Sequence, residues 1–217
     1  VAIGLSGCAL PPNPSIGAWA RQASLAADYP AALPPEAPAM RAAQRVAAQY
    51  LFGLGIVANR DGMLEFDPSG LAGQAQTITA ADPAAGAAAA RLGALLIAAR
   101  DGNPKPPPQA IGPNFASPPD DTRLETMVRQ GDAPLQALLG AIGNGLAVAP
   151  PLPAGPRLAA REGYREVLAR IGEGHALLLQ RVRHLDQQET RRMMRVQEEQ
   201  LMRTVARLPT ATPAAPG

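Results

Sequence analysis

Large rings are scarce in this chain: one Trp, three Tyr and three Phe among 217 residues, 3% of the total. That scarcity excludes a wide aromatic-lined pocket and leaves a core of Ala, Leu, Val and Ile, whose small side chains let helices approach closely. Cysteine occurs once, at Cys8, so no internal disulfide can form. There are two histidines, His175 and His184. Nine residues apart, they fall on opposite sides of a 3.6-residue helix and cannot share one ion from it. Glu173-Gly174-His175 also lacks the Glu-x-x-His spacing of di-iron bundles. No apolar run suffices for a bilayer. The longest uncharged stretch, 133–156, is interrupted by Asn144 and broken by Pro150, Pro151 and Pro153, and its apolar part from Leu135 to Ala149 falls short of the ~20 residues required.

Sequence signatures of catalysis are missing as well. Ser15, Ser24, Ser69 and Ser117 stand in no Gly-x-Ser-x-Gly elbow. The glycines from Gly140 to Gly145 precede no Lys-Ser or Lys-Thr, and Gly53-x-Gly55 lies within an apolar helical stretch, so no phosphate loop is expected. Met193, Met194 and Met202 read as gap-fillers in a helix interface rather than soft-metal ligands. These absences favour a structural or binding protein over an enzyme, with no cofactor and no metal expected.

What the chain does have is punctuation: 24 Pro and 21 Gly, clustered between apolar stretches. Asp67-Pro68 and Asp82-Pro83 each pair a capping carboxylate with a proline at the first helical position, where the missing N–H costs nothing. Asp120-Asp121-Thr122 and Asp132-Ala133-Pro134 read as further starts, and Asp61-Gly62 and Asp101-Gly102 as stops. The fold class is therefore all-α, a helical bundle with Pro-rich connections. Helices are predicted near 15–28, 36–59, 68–79, 83–100, 121–130, 133–148 and 157–207. Val46, Tyr50, Leu54 and Val57 mark the buried face of the second, and Ala88, Leu92, Leu95 and Ala99 that of the fourth. Met63 to Phe66 suits a short extended piece, and Pro104 to Pro119 a long stiff connection.

The C-terminal segment has the clearest periodicity. Tyr164, Leu168, Ile171, His175, Leu178, Val182 and Leu185 alternate at four and three residues, a heptad seam on which His175 reads as a polar core residue that sets register. Past Leu185 the seam meets Glu189 and Arg192, and apolar residues return out of phase at Met194, Leu201, Val205 and Leu208. A continuous helix from Arg157 to Arg207 would be about 75 Å long. Its second half is therefore expected to project as an interaction arm, through Leu201, towards a protein partner or a second copy.

Charge adds one competing signal. Between Arg157 and Leu208 stand eleven Arg against seven acids, a net +4, while the remainder of the chain is −2. Arg191, Arg192 and Arg195 cluster where the seam fails. They fit either a solvated face laced with pairs such as Glu162–Arg165, Glu166–Arg170 and Arg195–Glu199, or a surface contacting phosphate in lipid headgroups or nucleic acid. No aromatic residue is interleaved with them, which argues against single-strand binding.

Leu5-Ser6-Gly7-Cys8, followed by Pro11-Pro12-Asn13-Pro14-Ser15, resembles a bacterial lipobox with a Pro-rich tether. The resemblance covers these positions alone. It implies cleavage before Cys8, acylation of its thiol and attachment of the chain to a membrane facing the periplasm. The corresponding division is 1–7 as signal-peptide remnant, 8–14 as lipidated cysteine and tether, 15–208 as helical domain and 209–217 as disordered tail. Ala9 in place of an aspartate leans towards the outer membrane. The alternative expectation is a cytosolic helical protein binding nucleic acid through its basic C-terminal helix.

Overall fold

The computed structural model describes residues 13–34, 36–59, 67, 69–102 and 122–209. The lipobox and Cys8, the extended piece at Met63 to Phe66, the Pro104 to Pro119 connection and the tail after Pro209 lie outside the described residues. Among those described there are seven α-helices and no strand: α1 Pro14–Ala27, α2 Pro38–Ala58, α3 Leu71–Thr79, α4 Pro83–Asp101, α5 Arg123–Val148, α6 Pro156–Gln180 and α7 Gln188–Val205. Four of them begin on proline. Its fixed φ suits a first helical turn, and the amide it lacks would have had no intrahelical partner. At α4 the cap is complete, with an Asp82 carboxylate oxygen accepting from the Ala85 amide at 3.0 Å.

The helices form one bundle. α1 lies between α2 and α7, α5 packs on both α2 and α6, and α6 closes on α7. The α3–α4 pair covers the outer side of α2 and α5. The core is aliphatic and rich in alanine, with Trp19, Tyr50 and Tyr164 as its large rings, all fully buried. Two tyrosines tie the elements together at one end. Tyr164 of α6 donates to the Ala27 carbonyl at 2.5 Å, and Tyr29 donates to the Pro209 carbonyl at 2.7 Å.

Three sequence expectations are corrected. First, α3 begins at Leu71 rather than 68, because the Asp67 carboxylate accepts from the Ser69 amide and hydroxyl, both at 2.9 Å, and forms a turn ahead of the helix. Second, 121–130 and 133–148 are one helix, α5, which runs through Pro134. An internal proline costs about 3 kcal/mol and deprives the Gln130 carbonyl of its usual donor, but Pro134 is buried and Leu135, Leu138, Leu139 and Ile142 hold the helix in the core. Third, 157–207 is not one helix. The chain leaves helical geometry at Arg181, makes a 3-10 turn at Val182–His184 and restarts at Gln188.

That break reverses the chain. Leu208 beyond α7 packs against Gly163 near the start of α6, so the two helices run antiparallel. Thr190 locks the reversal, its hydroxyl donating to the His184 carbonyl at 2.6 Å and accepting from Arg181 Nε at 3.3 Å. The out-of-phase apolar residues find their explanation here. Met194 and Leu201 are fully buried against the bundle, because α7 presents a new face after the turn rather than extending the old one. Leu201 is thus a core residue, and no projecting arm carries it.

Candidate functional site

The most constrained polar cluster sits where α2, α5 and α6 meet. His175 of α6 is fully buried. Its Nδ1 lies 2.9 Å from Asp132 Oδ1 on α5, and its Nε2 lies 2.9 Å from the Tyr50 hydroxyl on α2. Tyr50 in turn donates to the Met127 carbonyl of α5 at 2.8 Å. Gln136, one turn after Asp132, donates to the Gly172 carbonyl at 2.8 Å and reaches Asp132 Oδ1 at 3.4 Å. Five side-chain contacts therefore connect three helices, three of them through the imidazole or the carboxylate.

Glycine makes the approach possible at two points. A Cβ on residue 131 would lie 2.0 Å from the Tyr50 hydroxyl oxygen, so only glycine admits that ring to the α5 backbone. A Cβ on residue 174 would lie 2.5 Å from Cζ2 of Trp19, so the indole of α1 covers α6 directly beside His175. The imidazole is closed in by these rings.

Electrostatics follow from that enclosure. The hydrogen bond from His175, more than its nearby charge, holds the Asp132 carboxyl below the ordinary carboxylate range, with Gln136 assisting and partial burial opposing. Burial pushes the Tyr50 phenol up, and the Asp132 charge adds to it, so the hydroxyl stays protonated. Proton counting links the two. A neutral imidazole donating from Nδ1 to Asp132 accepts at Nε2 from Tyr50, whose single proton is then unavailable to Met127. With Asp132 ionised and Tyr50 donating to Met127, the single proton of a neutral ring serves Asp132 or Tyr50 but not both. Tyr50 and Trp19 cover the imidazole, while the Asp132 side chain keeps 16% of its surface exposed.

A second feature lies at the opposite end of α1 from its N-terminus. The Tyr29–Pro34 turn, the segment around Pro150 and Leu152, and the first turns of α6 enclose a cavity of about 590 Å³. Its walls are mostly apolar, and Arg157 and Arg161 are its charged members. Arg161 is only 8% exposed. Its Nη1 donates to the carbonyls of Pro150 at 2.8 Å and Ala149 at 3.4 Å. Its Nε is buried without a hydrogen-bond partner among the described residues.

The residues singled out from sequence are scattered. Cys8 lies outside the described residues. Arg192 and Arg195 are exposed on α7, Arg191 is half-buried, and Leu201 is in the core. Glu199 pairs with Arg203 at 2.5 Å rather than with Arg195, and Arg170 meets Glu173 at 2.9 Å and Glu166 at 4.0 Å. Among the described residues no group of His, Cys, Asp and Glu is arranged to hold a metal ion, and no helix is long and apolar enough to cross a membrane. His175 was legible as a polar core residue, but its partners were not: Asp132 read as a cap and Tyr50 as plain core. Arg157 and Arg161 were missed too. The available signal was arginine in the first turns of a helix, where the backbone dipole disfavours a cation.

Compared with protein-family models, with curated proteins and with solved structures, the chain matches none.

Proposed function

We propose that this chain is a lipid-anchored protein of the bacterial cell envelope whose helical domain serves as an interaction or binding module rather than an enzyme. The observation that carries the reading is Leu5-Ser6-Gly7-Cys8 with the Pro-rich segment behind it. Several acyl chains on one cysteine bind a bilayer stably, at ~0.8 kcal/mol per buried CH₂. α1 starts at Pro14, six residues after Cys8. Such a spacer reaches at most about 20 Å, so the bundle would lie close to the membrane surface. The outer face of α7, with Arg192, Arg195 and the half-exposed Val196 and Met202, is the surface offered to a protein partner. Ala9 inclines the assignment towards the outer membrane.

The test is expression of the chain with an intact upstream signal sequence, followed by mass spectrometry of the membrane fraction. Acylated Cys8 at the amino terminus is expected. An unmodified Cys8 in a soluble pool refutes the reading.

The second reading, a nucleic-acid-binding helix, draws on the exposure of Arg192 and Arg195 on one helix. It would gain from submicromolar binding in a gel shift at ~150 mM salt that requires both residues.

A further inference from the structure

The cavity at the start of α6 combines apolar walls with an unbalanced positive charge. Burying a cation without a counter-ion is costly, and buried guanidinium groups are ordinarily paired with carboxylates. Arg161 is nine-tenths buried, and among the described residues it meets two backbone carbonyls and no carboxylate. Its Nε proton has no acceptor among the described residues. Arg157, exposed beside the same cavity, adds a second cation, and no acidic residue among those described lines the walls.

The backbone reinforces that charge. α6 is 25 residues long, and its first turn faces the cavity with Pro156 and Arg157. No side chain caps it and no acid stands in the first turn. The residue before it, Gly155, has φ of 158°, a conformation that suits glycine, so the position a capping Ser or Asp would fill holds no side chain. The positive end of the α6 dipole and the Arg157 and Arg161 side chains therefore border one hollow. The remaining walls, Tyr29, Leu33, Leu152 and Ala160 among them, suit hydrocarbon. A volume of about 590 Å³ is of the size that holds one small ligand, within the usual ~300–1,000 Å³.

We propose that this cavity binds a small anionic amphiphile, a single carboxylate or phosphate head on an alkyl body, with Arg161 and Arg157 on the head and the Tyr29–Pro34 and Leu152 walls around the chain. The site is independent of lipid anchoring. It sits about 20 Å from the start of α1, one 14-residue helix away.

Isothermal titration calorimetry of the full chain with dodecanoate, dodecyl phosphate and dodecanol tests the assignment, each kept below its aggregation limit. Both anions are expected to bind at one site, and the stronger of the two identifies the head as carboxylate or phosphate. Dodecanol should bind about 10- to 100-fold more weakly, the factor carried by a charge-assisted hydrogen bond. Arg161→Met should reduce anion affinity by a similar factor and leave dodecanol unchanged. Arg157→Met, at an exposed side chain, repeats the charge test without disturbing the buried contacts, and Ala160→Leu should weaken all three ligands by filling the cavity. Equal binding of dodecanol and the anions, unchanged affinity in both arginine variants, or no binding at all overturns the proposal. None of these outcomes bears on acylation of Cys8, which is read separately.

Discussion

Tyr50 hydrogen-bonds the backbone of α5 because residue 131 is glycine. The phenol oxygen stands 2.0 Å from the place a Cβ would occupy, and Cζ stands 2.5 Å from it. Sequence separation conceals the relationship, yet it decides how closely α2 and α5 approach and whether His175 has a hydroxyl to meet.

Gly131→Ala should therefore destabilise the fold by about 1–3 kcal/mol, the usual cost of overpacking a core. Gly140→Ala on the same helix has nothing within 4 Å of the new methyl. There the higher helix propensity of alanine should stabilise by about 0.5–1 kcal/mol. Urea unfolding of both variants checks the pair. Similar effects of the same sign would mean that Tyr50 does not press on α5 in solution.

Asp132 makes part of the stability pH-dependent. Its folded pKa is depressed, chiefly by the hydrogen bond from His175. Its contribution is therefore complete above the unfolded value of about 3.9 and is lost as pH falls through the lower folded value. Asp132→Asn should cost about 1.5–3 kcal/mol near neutral pH, the worth of a hydrogen bond to a charged group. The gap between wild type and variant should close as pH falls from 5 to 2 in denaturant titrations. A gap that stays constant over that range would show that the carboxylate charge is not what His175 holds.

Leu201 and Leu178 are both fully buried, on α7 and α6. Leu201→Ala and Leu178→Ala should each cost about 2–5 kcal/mol, with no change in assembly by light scattering. The half-exposed Met202 beside Leu201 should tolerate alanine within about 0.5 kcal/mol. A Leu201→Ala variant of wild-type stability would restore the projecting arm.

Arg192 and Arg195 are exposed, and their replacement by Ala should change stability by no more than about 0.5 kcal/mol. Any DNA binding by the wild-type chain should be weak at ~150 mM salt, since phosphate contacts alone lose affinity steeply there. Tight binding that survives this salt and disappears in the double variant would move the functional reading to nucleic acid.

Most helices were legible because their signals are local. Prolines at the first position and the Asp82 cap set where α4 begins, and the alternation from Tyr164 to Leu185 named seven residues that are all buried. The errors were local signals outweighed by packing. Pro134 reads as a helix start, but Pro134 and the leucines after it are buried, and α5 continues through it. The phase change after Leu185 was visible and marked a chain reversal, which a search for one continuous stripe extends into an arm.

By itself the sequence determined the all-α class, the aliphatic core and the buried face of α6, because composition and period depend only on neighbours along the chain. Tertiary structure alone decided that His175 meets Asp132 across 43 residues and Tyr50 across 125, that Leu201 is core, and that Arg161 is buried beside an apolar hollow. Each of these depends on which helices lie side by side. Packing is chosen by the summed burial of whole faces, so no single residue announces its partner.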